Sequence, residues 1–245
     1  MMTKLYEKSE IWFAVAWIIA YCVFVSIGDN LSASAGVIKA FTLPILIVLV
    51  IILVFFVKKN QLFHKYGLCK SEISSSKMLF YIPIAILLTA NLWHGLTMNT
   101  SPVETVLYVL SMFCVGFLEE MIFRGFLFNA MLKDGAKSAI MISSVTFGVG
   151  HIVNLINGSG AELLPNILQV IYAMATGFMF VMIYYRTKSL IPCIVTHGLF
   201  NALSVFSDEA ILTSQRQIIS CVLITIIAST YAIYIVFMIK NDGKH

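Results

Sequence analysis

The sequence predicts an all-α polytopic membrane helix bundle: a single integral membrane domain over residues 1–245, with about eight transmembrane helices. Hydrophobic residues make up 60% of the chain and charged residues only 11%, whereas soluble domains average about 25% charged residues. This deficit of charge excludes an ordinary soluble enzyme. The net charge of +4 is spread through loops and forms no basic patch of the kind that binds nucleic acid. The lipid bilayer is the expected surrounding, and no nucleic-acid partner is expected.

Apolar segments of the right length recur along the whole chain. A spanning helix needs about 20 mainly apolar residues. Glycine, proline, polar and charged residues cluster between the segments, and no internal repeat is apparent. The candidate spans are residues 11–28, 39–57, 79–98, 103–132, 138–155, 165–186, 189–206 and 217–239.

The first apolar segment has two interpretations. Lys4 and Lys8 precede it, and Ala33-Ser34-Ala35 resembles a cleavage site, so a cleaved signal peptide is one of them. The apolar run from Ile11 to Ile27 is longer than the usual 7–15 residues of a signal peptide, and the small residues lie well beyond its end. We therefore treat the segment as a retained first span.

Loop charges predict the orientation. Of the 16 Lys and Arg residues, only Lys39 and Arg216 fall on the side opposite the N-terminus, and Arg124 lies within a span. Because cytoplasmic loops carry the excess of basic residues, both termini are predicted to be cytoplasmic. A multi-pass location in a bacterial cell membrane is expected. The other basic residues are Lys4, Lys8, Lys58, Lys59, Lys65, Lys70, Lys77, Lys133, Lys137, Arg186, Lys188, Lys240 and Lys244.

Three charged residues interrupt the fourth span. A charge at the bilayer centre costs roughly 2.5–3.5 kcal/mol on insertion scales, so Glu119, Glu120 and Arg124 need partners. Glu120 and Arg124 are four residues apart on one helix face and are predicted to pair. Glu119 points about 100° away from Glu120 and is predicted to face other helices. The helix is expected to continue to Leu132, with Gly125 as the place for a kink.

Candidate partners lie on the fifth and seventh spans. His151 and His197 fall at about the same depth as Glu119, from the 1.5 Å rise per residue of each helix. We expect these three side chains to meet in one layer. Asn201 shares a helix face with His197.

Several other polar or aromatic residues in the spans have simpler interpretations. His94, Asn154 and Gln169 are expected to make hydrogen bonds between helices. Phe147 is expected to pack. Ser143 and Ser144 lie near His151, but membrane serines usually bond their own helix, which argues against a Ser–His mechanism.

A carboxylate with two imidazoles is a hydrolytic set. A carboxylate in an apolar site can act as general base on water, and imidazoles can bind a metal, orient the water or stabilise an oxyanion. Glu119, His151 and His197 would supply three ligands, enough for a catalytic zinc with one open position. A metal-free mechanism fits the same residues. The Gly-x-Ser-x-Gly and His-Glu-x-x-His motifs are absent.

The spaced motifs resemble a known family. Glu119-Glu120-x-x-x-Arg124, Phe147-x-x-x-His151 and His197-x-x-x-Asn201 follow one another on three spans. Together with the flanks 123–128 and 184–190, they are similar to the motifs of the CPBP (CAAX-processing and bacteriocin-processing, or Abi) intramembrane proteases, which include the type II CAAX prenyl endopeptidases. The match covers residues 103–206, the catalytic motif core. Lys188 stands where a glycine often occurs.

The resemblance implies an eight-helix membrane endopeptidase, open toward the cytoplasm, that cuts a membrane-associated protein or peptide. Members act in CAAX-type processing, peptide pheromone maturation and bacteriocin immunity. By carry-over, Glu119 and His151 activate water, directly or through a metal, and His197 with Asn201 stabilises the oxyanion. The implied catalytic residues are Glu119, Glu120, His151, His197 and Asn201, in a site shaped by Arg124 and Phe147.

Two other functions fit the sequence. The polar cluster could belong to a non-catalytic membrane protein that binds a peptide or confers immunity. Intramembrane Glu, His and Arg also build the relays of proton- or ion-coupled transporters. The chain lacks the repeated halves typical of transporters, which argues against that function.

Overall fold

The structure is a computed structural model that describes residues 2–157 and 161–242. Within these residues there is no β-strand, only an isolated bridge between Leu96 and Ser207. The predicted all-α fold is confirmed. The helices are α1 (Met2–Lys8), α2 (Glu10–Ala35), α3 (Thr42–Lys59), α4 (Leu79–Leu92), α5 (Pro102–Asp134), α6 (Ala136–Leu155), α7 (Leu163–Thr187), α8 (Ile191–Phe206) and α9 (Ser214–Asp242).

All the predicted apolar segments contain helix, but they differ in length. Six helices, α2, α3, α5, α6, α7 and α9, are long and apolar enough to cross a membrane, whereas α4 and α8 are shorter. Helix α4 is short because Leu79, Phe80 and Tyr81 all have positive φ, so its regular part is only Ile82–Leu88. The described residues thus form an integral membrane bundle with six long and two short apolar helices. The cytoplasmic position of the termini stays a prediction, and Lys244 lies outside the described residues.

Helix α5 runs through the Glu119-Glu120 motif without a break, as predicted. Ser101 and Glu104 form a capping box at its start. The α-helix extends from Pro102 to Glu120, and the next segment, Met121–Phe128, is a π-helix. Gly125 therefore lies in a wide π-helical turn. Such turns are rare and often occur at functional sites.

Two close helix contacts position the motifs. A Cβ on Gly116 of α5 would stand 2.6 Å from the backbone nitrogen of Gly198 in α8. A Cβ on Gly148 of α6 would stand 2.8 Å from the backbone nitrogen of Met174 in α7. Glycine at such crossings lets backbones approach closely in a membrane bundle. The first contact brings two motif-bearing helices, α5 and α8, close together, and the second packs α6 against α7.

The half of the bundle nearest the termini is tightly packed. Phe126 of α5 lies 5.1 Å from the ring of Phe13 and 5.0 Å from that of Tyr66, measured between centroids. These three rings are buried, as is every residue from Met121 to Phe128. This aromatic layer, defined by Phe13, Tyr66 and Phe126, closes the bundle on that side of the motif.

Candidate active site

Glu120 and Arg124 form a fully buried ion pair. Arg124 Nη1 donates a 2.9 Å hydrogen bond to Glu120 Oε1, and both side chains are 0% exposed. The guanidinium carbon lies 4.1 Å from the centre of the Phe147 ring, in the geometry of a cation–π contact. Burying a charged pair carries a large desolvation cost, which close pairing and added contacts offset. The predicted pairing of Glu120 with Arg124 is confirmed.

His197 lies between the two carboxylates. Its Nδ1 is 2.8 Å from Glu120 Oε1, and its Nε2 is 3.4 Å from Glu119 Oε2. The sequence predicted that Glu120 faces Arg124 and that Glu119 faces the histidines; in the structure Glu120 contacts His197 as well. The Gly116–Gly198 crossing brings α8 close enough for one oxygen of Glu120 to serve both Arg124 and His197. The imidazole ring therefore contacts both carboxylates, one through each of its nitrogens.

Tyr21 is a site residue that the motif search missed. Its hydroxyl donates a 2.7 Å hydrogen bond to Glu119 Oε1. Tyr21 lies on α2, far from the motifs in sequence. One feature of the sequence could have pointed to Tyr21, namely its position in the middle of a predicted span. Tyrosines usually lie at the membrane interface, and a buried hydroxyl needs a hydrogen-bond partner.

His151 begins the last turns of α6, where the α-helix ends at Gly150 and a 3₁₀ segment follows. Its Nδ1 lies 3.0 Å from the carbonyl oxygen of Phe147. Because a carbonyl only accepts hydrogen bonds, Nδ1 carries a proton, and in the neutral ring Nε2 keeps its lone pair. Asn166 of α7 donates a 2.8 Å bond to the His151 carbonyl and holds this end of the helix.

A cavity of about 320 Å³ joins the predicted residues. Glu119, His151 and Asn201 line it together with Tyr21. Within the described part of the chain the Asn201 side chain makes no hydrogen bond. His197 does not line this cavity but faces a smaller one of about 40 Å³, which His151 and Asn201 also border. The structure thus brings Glu119 and His151 to one cavity and places His197 beside Glu119, while their common depth in the membrane stays a prediction.

Comparison with known families identifies the motif-bearing segment. The family model for Rce1-like type II CAAX prenyl endopeptidases matches residues 101–203. Residues 101–203 carry the signature of this family. The resemblance predicted from the three motifs is confirmed over these residues. No curated protein and no solved structure matches the chain.

The Rce1-like segment contains every site residue that the sequence predicted, and it covers α5 to most of α8. Tyr21 lies outside it. The first helices are therefore not covered by the family match, although one of them contributes a direct contact to Glu119.

The polar residues with simpler interpretations behave largely as predicted. His94 Nε2 lies 2.7 Å from Ser220 Oγ, and Asn154 donates to Gln169 at 3.1 Å. Ser144 bonds the carbonyl of its own helix. Ser143 instead donates a 2.9 Å bond to the Phe123 carbonyl of α5, so its predicted bond within α6 is wrong. The α5–α6 crossing puts that carbonyl closer.

The predicted zinc ligands fit a metal poorly in this arrangement. Both nitrogens of His197 face carboxylates, so this side chain would have to leave one of them to bind zinc. In the part of the chain that the structure describes, no three His, Cys, Asp or Glu side chains are placed to hold a metal ion. Glu119 and His151 alone fall short of the three protein ligands of a catalytic zinc.

Proposed function

We propose that the chain is an intramembrane endopeptidase that hydrolyses a peptide bond of a membrane-associated protein or peptide. The observation that carries the proposal is the position of Glu119. Tyr21 donates a hydrogen bond to one of its oxygens, the other oxygen lies 3.4 Å from His197, and its side chain borders the same cavity as His151 and Asn201. A held, half-buried carboxylate beside an imidazole lone pair is suited to activating water.

In the first step, Glu119 acts as the general base. A water molecule between Glu119 and His151 gives one proton to the carboxylate as its oxygen attacks the carbonyl carbon of the substrate. His151 Nε2 accepts a hydrogen bond from the other proton of the water and so orients it. The Nδ1–Phe147 hydrogen bond supports this role, because it fixes which ring nitrogen is the acceptor.

In the second step, the tetrahedral intermediate collapses. Asn201 donates its amide N–H to the oxyanion, a role supported by an amide that borders the cavity without a hydrogen bond among the described residues. Protonated Glu119 then gives its proton to the leaving nitrogen, and the C–N bond breaks. The products are a carboxylic acid and an amine, and no step passes through a metal.

His197, Glu120 and Arg124 act as positioning residues in this mechanism. The family resemblance implied that His197 stabilises the oxyanion, but its nitrogens face Glu119 and Glu120. We assign it instead to holding Glu119 in place. The Glu120–Arg124 pair, packed on Phe147, anchors His197 from behind.

The proposal is tested by the peptides that the protein releases. Membranes with the wild-type chain should release peptide products that membranes with Glu119→Ala do not. His151→Ala should remove the same products. Identical peptide profiles would favour the alternative, a non-catalytic peptide-binding or immunity protein. The identified products would also show whether the substrate is a CAAX protein, a peptide pheromone or a bacteriocin.

A further inference from the structure

The candidate active-site cavity occupies only one half of the bundle. On α5 its lining runs from Tyr108 to Phe123, toward the start of the helix at Pro102. On α2 the lining runs from Tyr21 to Asp29, toward the end of that helix. The lining residues of α6, α7 and α8 lie toward the same side, at the end of α6, the start of α7 and the end of α8.

In the other half of the bundle, the described residues next to Glu119 are closely packed. Directly beyond Glu119, the π-helical segment Met121–Phe128 is buried throughout. The aromatic layer of Phe13, Tyr66 and Phe126 lies on that side. A substrate therefore reaches Glu119 from the side of Asp29 rather than from the side of Tyr66.

The loops at the two ends of the bundle differ in their number of basic residues. The closed end carries the Lys-rich connections at 58–77, 133–137 and 186–188, whereas the open end carries Lys39 and Arg216. Lys39 is itself neutralised by Asp29 at 2.7 Å, at the rim of the cavity. Since basic loops stay in the cytoplasm, the closed end is cytoplasmic and the cavity opens on the opposite side.

We propose that the active site receives its peptide from the extracytoplasmic side of the membrane. This inference rests on the proposed function and departs from the cytoplasmic opening that the family resemblance implied. If the orientation predicted from the loop charges holds, a cavity at this end of the bundle cannot open toward the cytoplasm.

The lining of the cavity fits a peptide backbone. Carboxamide side chains border it from four helices and from the residues after α6, and such groups can both donate to and accept from a backbone amide. They place hydrogen-bonding groups along a lining that also contains apolar side chains, a mixture that suits an extended polypeptide segment better than a lipid chain. The carboxamides are Asn91, Asn154, Asn157, Gln169 and Asn201.

Thiol labelling tests the side of entry without relying on activity. Cys22 borders the cavity, and the variant Ser26→Cys adds a second thiol nearer its rim. Cys69 and the variant Lys70→Cys provide matched thiols on the Lys-rich loop of the closed end. A membrane-impermeant maleimide would be added to spheroplasts and to inverted vesicles, with labelled positions mapped by mass spectrometry.

We expect the thiol at position 26 to be labelled in spheroplasts and the thiol at position 70 only in inverted vesicles. The same pattern is expected in a Glu119→Gln background, so failure of the catalytic proposal would not disturb it. Labelling at position 26 only in inverted vesicles would overturn the inference. Labelling there from neither side would also overturn it, because the cavity would then open to no aqueous phase.

Discussion

The hydroxyl of Tyr21 donates a 2.7 Å hydrogen bond to Oε1 of Glu119 and ties the first long helix to the candidate catalytic carboxylate. Glu119 Oε2 faces His197 at 3.4 Å. The carboxylate is thus held from two helices, α2 and α8, while it projects from a third. A general base fixed in this way keeps one orientation toward the cavity, which favours proton transfer from a bound water.

Removing the Tyr21 hydroxyl should lower the rate of cleavage. A hydrogen bond to a charged group contributes about 1.5–3 kcal/mol, so Tyr21→Phe is expected to reduce kcat roughly 10- to 100-fold. Tyr172→Phe is the matched control, because Tyr172 borders the same cavity but its hydroxyl makes no hydrogen bond in the described part of the chain. The measurement is kcat and KM with purified protein. Equal losses in the two variants would contradict the positioning role.

Breaking the Glu120–Arg124 pair should destabilise the fold. Arg124→Ala leaves Glu120 buried without its guanidinium partner, a change that costs about 3–5 kcal/mol for buried pairs. Thermal unfolding in detergent should show a clear drop in Tm. Arg216→Ala, at an exposed arginine, should leave Tm nearly unchanged. If Arg124→Ala matched the wild-type Tm, the pair would not be a structural anchor.

Separating α5 from α8 should disable the site without touching a polar group. In Gly116→Ala the new methyl would overlap the backbone of Gly198, so the two helices must move apart. A displacement of about 1 Å at the reacting groups can lower activity about 100-fold. Gly125→Ala is the control, because its nearest contact would be an ordinary 3.6 Å. Similar activity in the two variants would show that the crossing does not set the site geometry.

Chelation should leave activity unchanged. His197 Nδ1 is hydrogen-bonded to Glu120 and its Nε2 faces Glu119 at 3.4 Å, so the mechanism assigns Glu119 directly to the water. Treatment of the purified protein with 1,10-phenanthroline followed by dialysis should preserve kcat. Loss of activity that zinc restores would contradict the metal-free mechanism and support the three-ligand site predicted from the sequence.

The sequence was informative where a polar group lies in an apolar run. Burying a charge in lipid is costly, so Glu119, Glu120 and Arg124 had to have partners, and the helix periodicity paired Glu120 with Arg124. The equal depths of the motifs also required α5 to continue past Glu120. Each of these inferences depends only on the spacing of residues along one helix, and this spacing can be read directly from the sequence.

The rest depended on how helices cross. The distance of His197 from Glu120 is set by the Gly116–Gly198 contact, and no spacing within one helix encodes it. Tyr21 reaches Glu119 because α2 packs beside the π-helical part of α5. The side on which the cavity opens likewise follows from the packing of Phe13, Tyr66 and Phe126, three residues distant in sequence.

The central claim is that Glu119 is the general base, and Glu119→Gln tests it most directly. Glutamine keeps the size of the side chain and an oxygen that can accept from Tyr21, but it cannot take a proton from water. The wild-type and variant proteins would be purified, checked for equal Tm and assayed on a peptide product identified by proteomics. We predict a loss in kcat of at least about 100-fold. A folded Glu119→Gln protein with wild-type kcat would contradict the account.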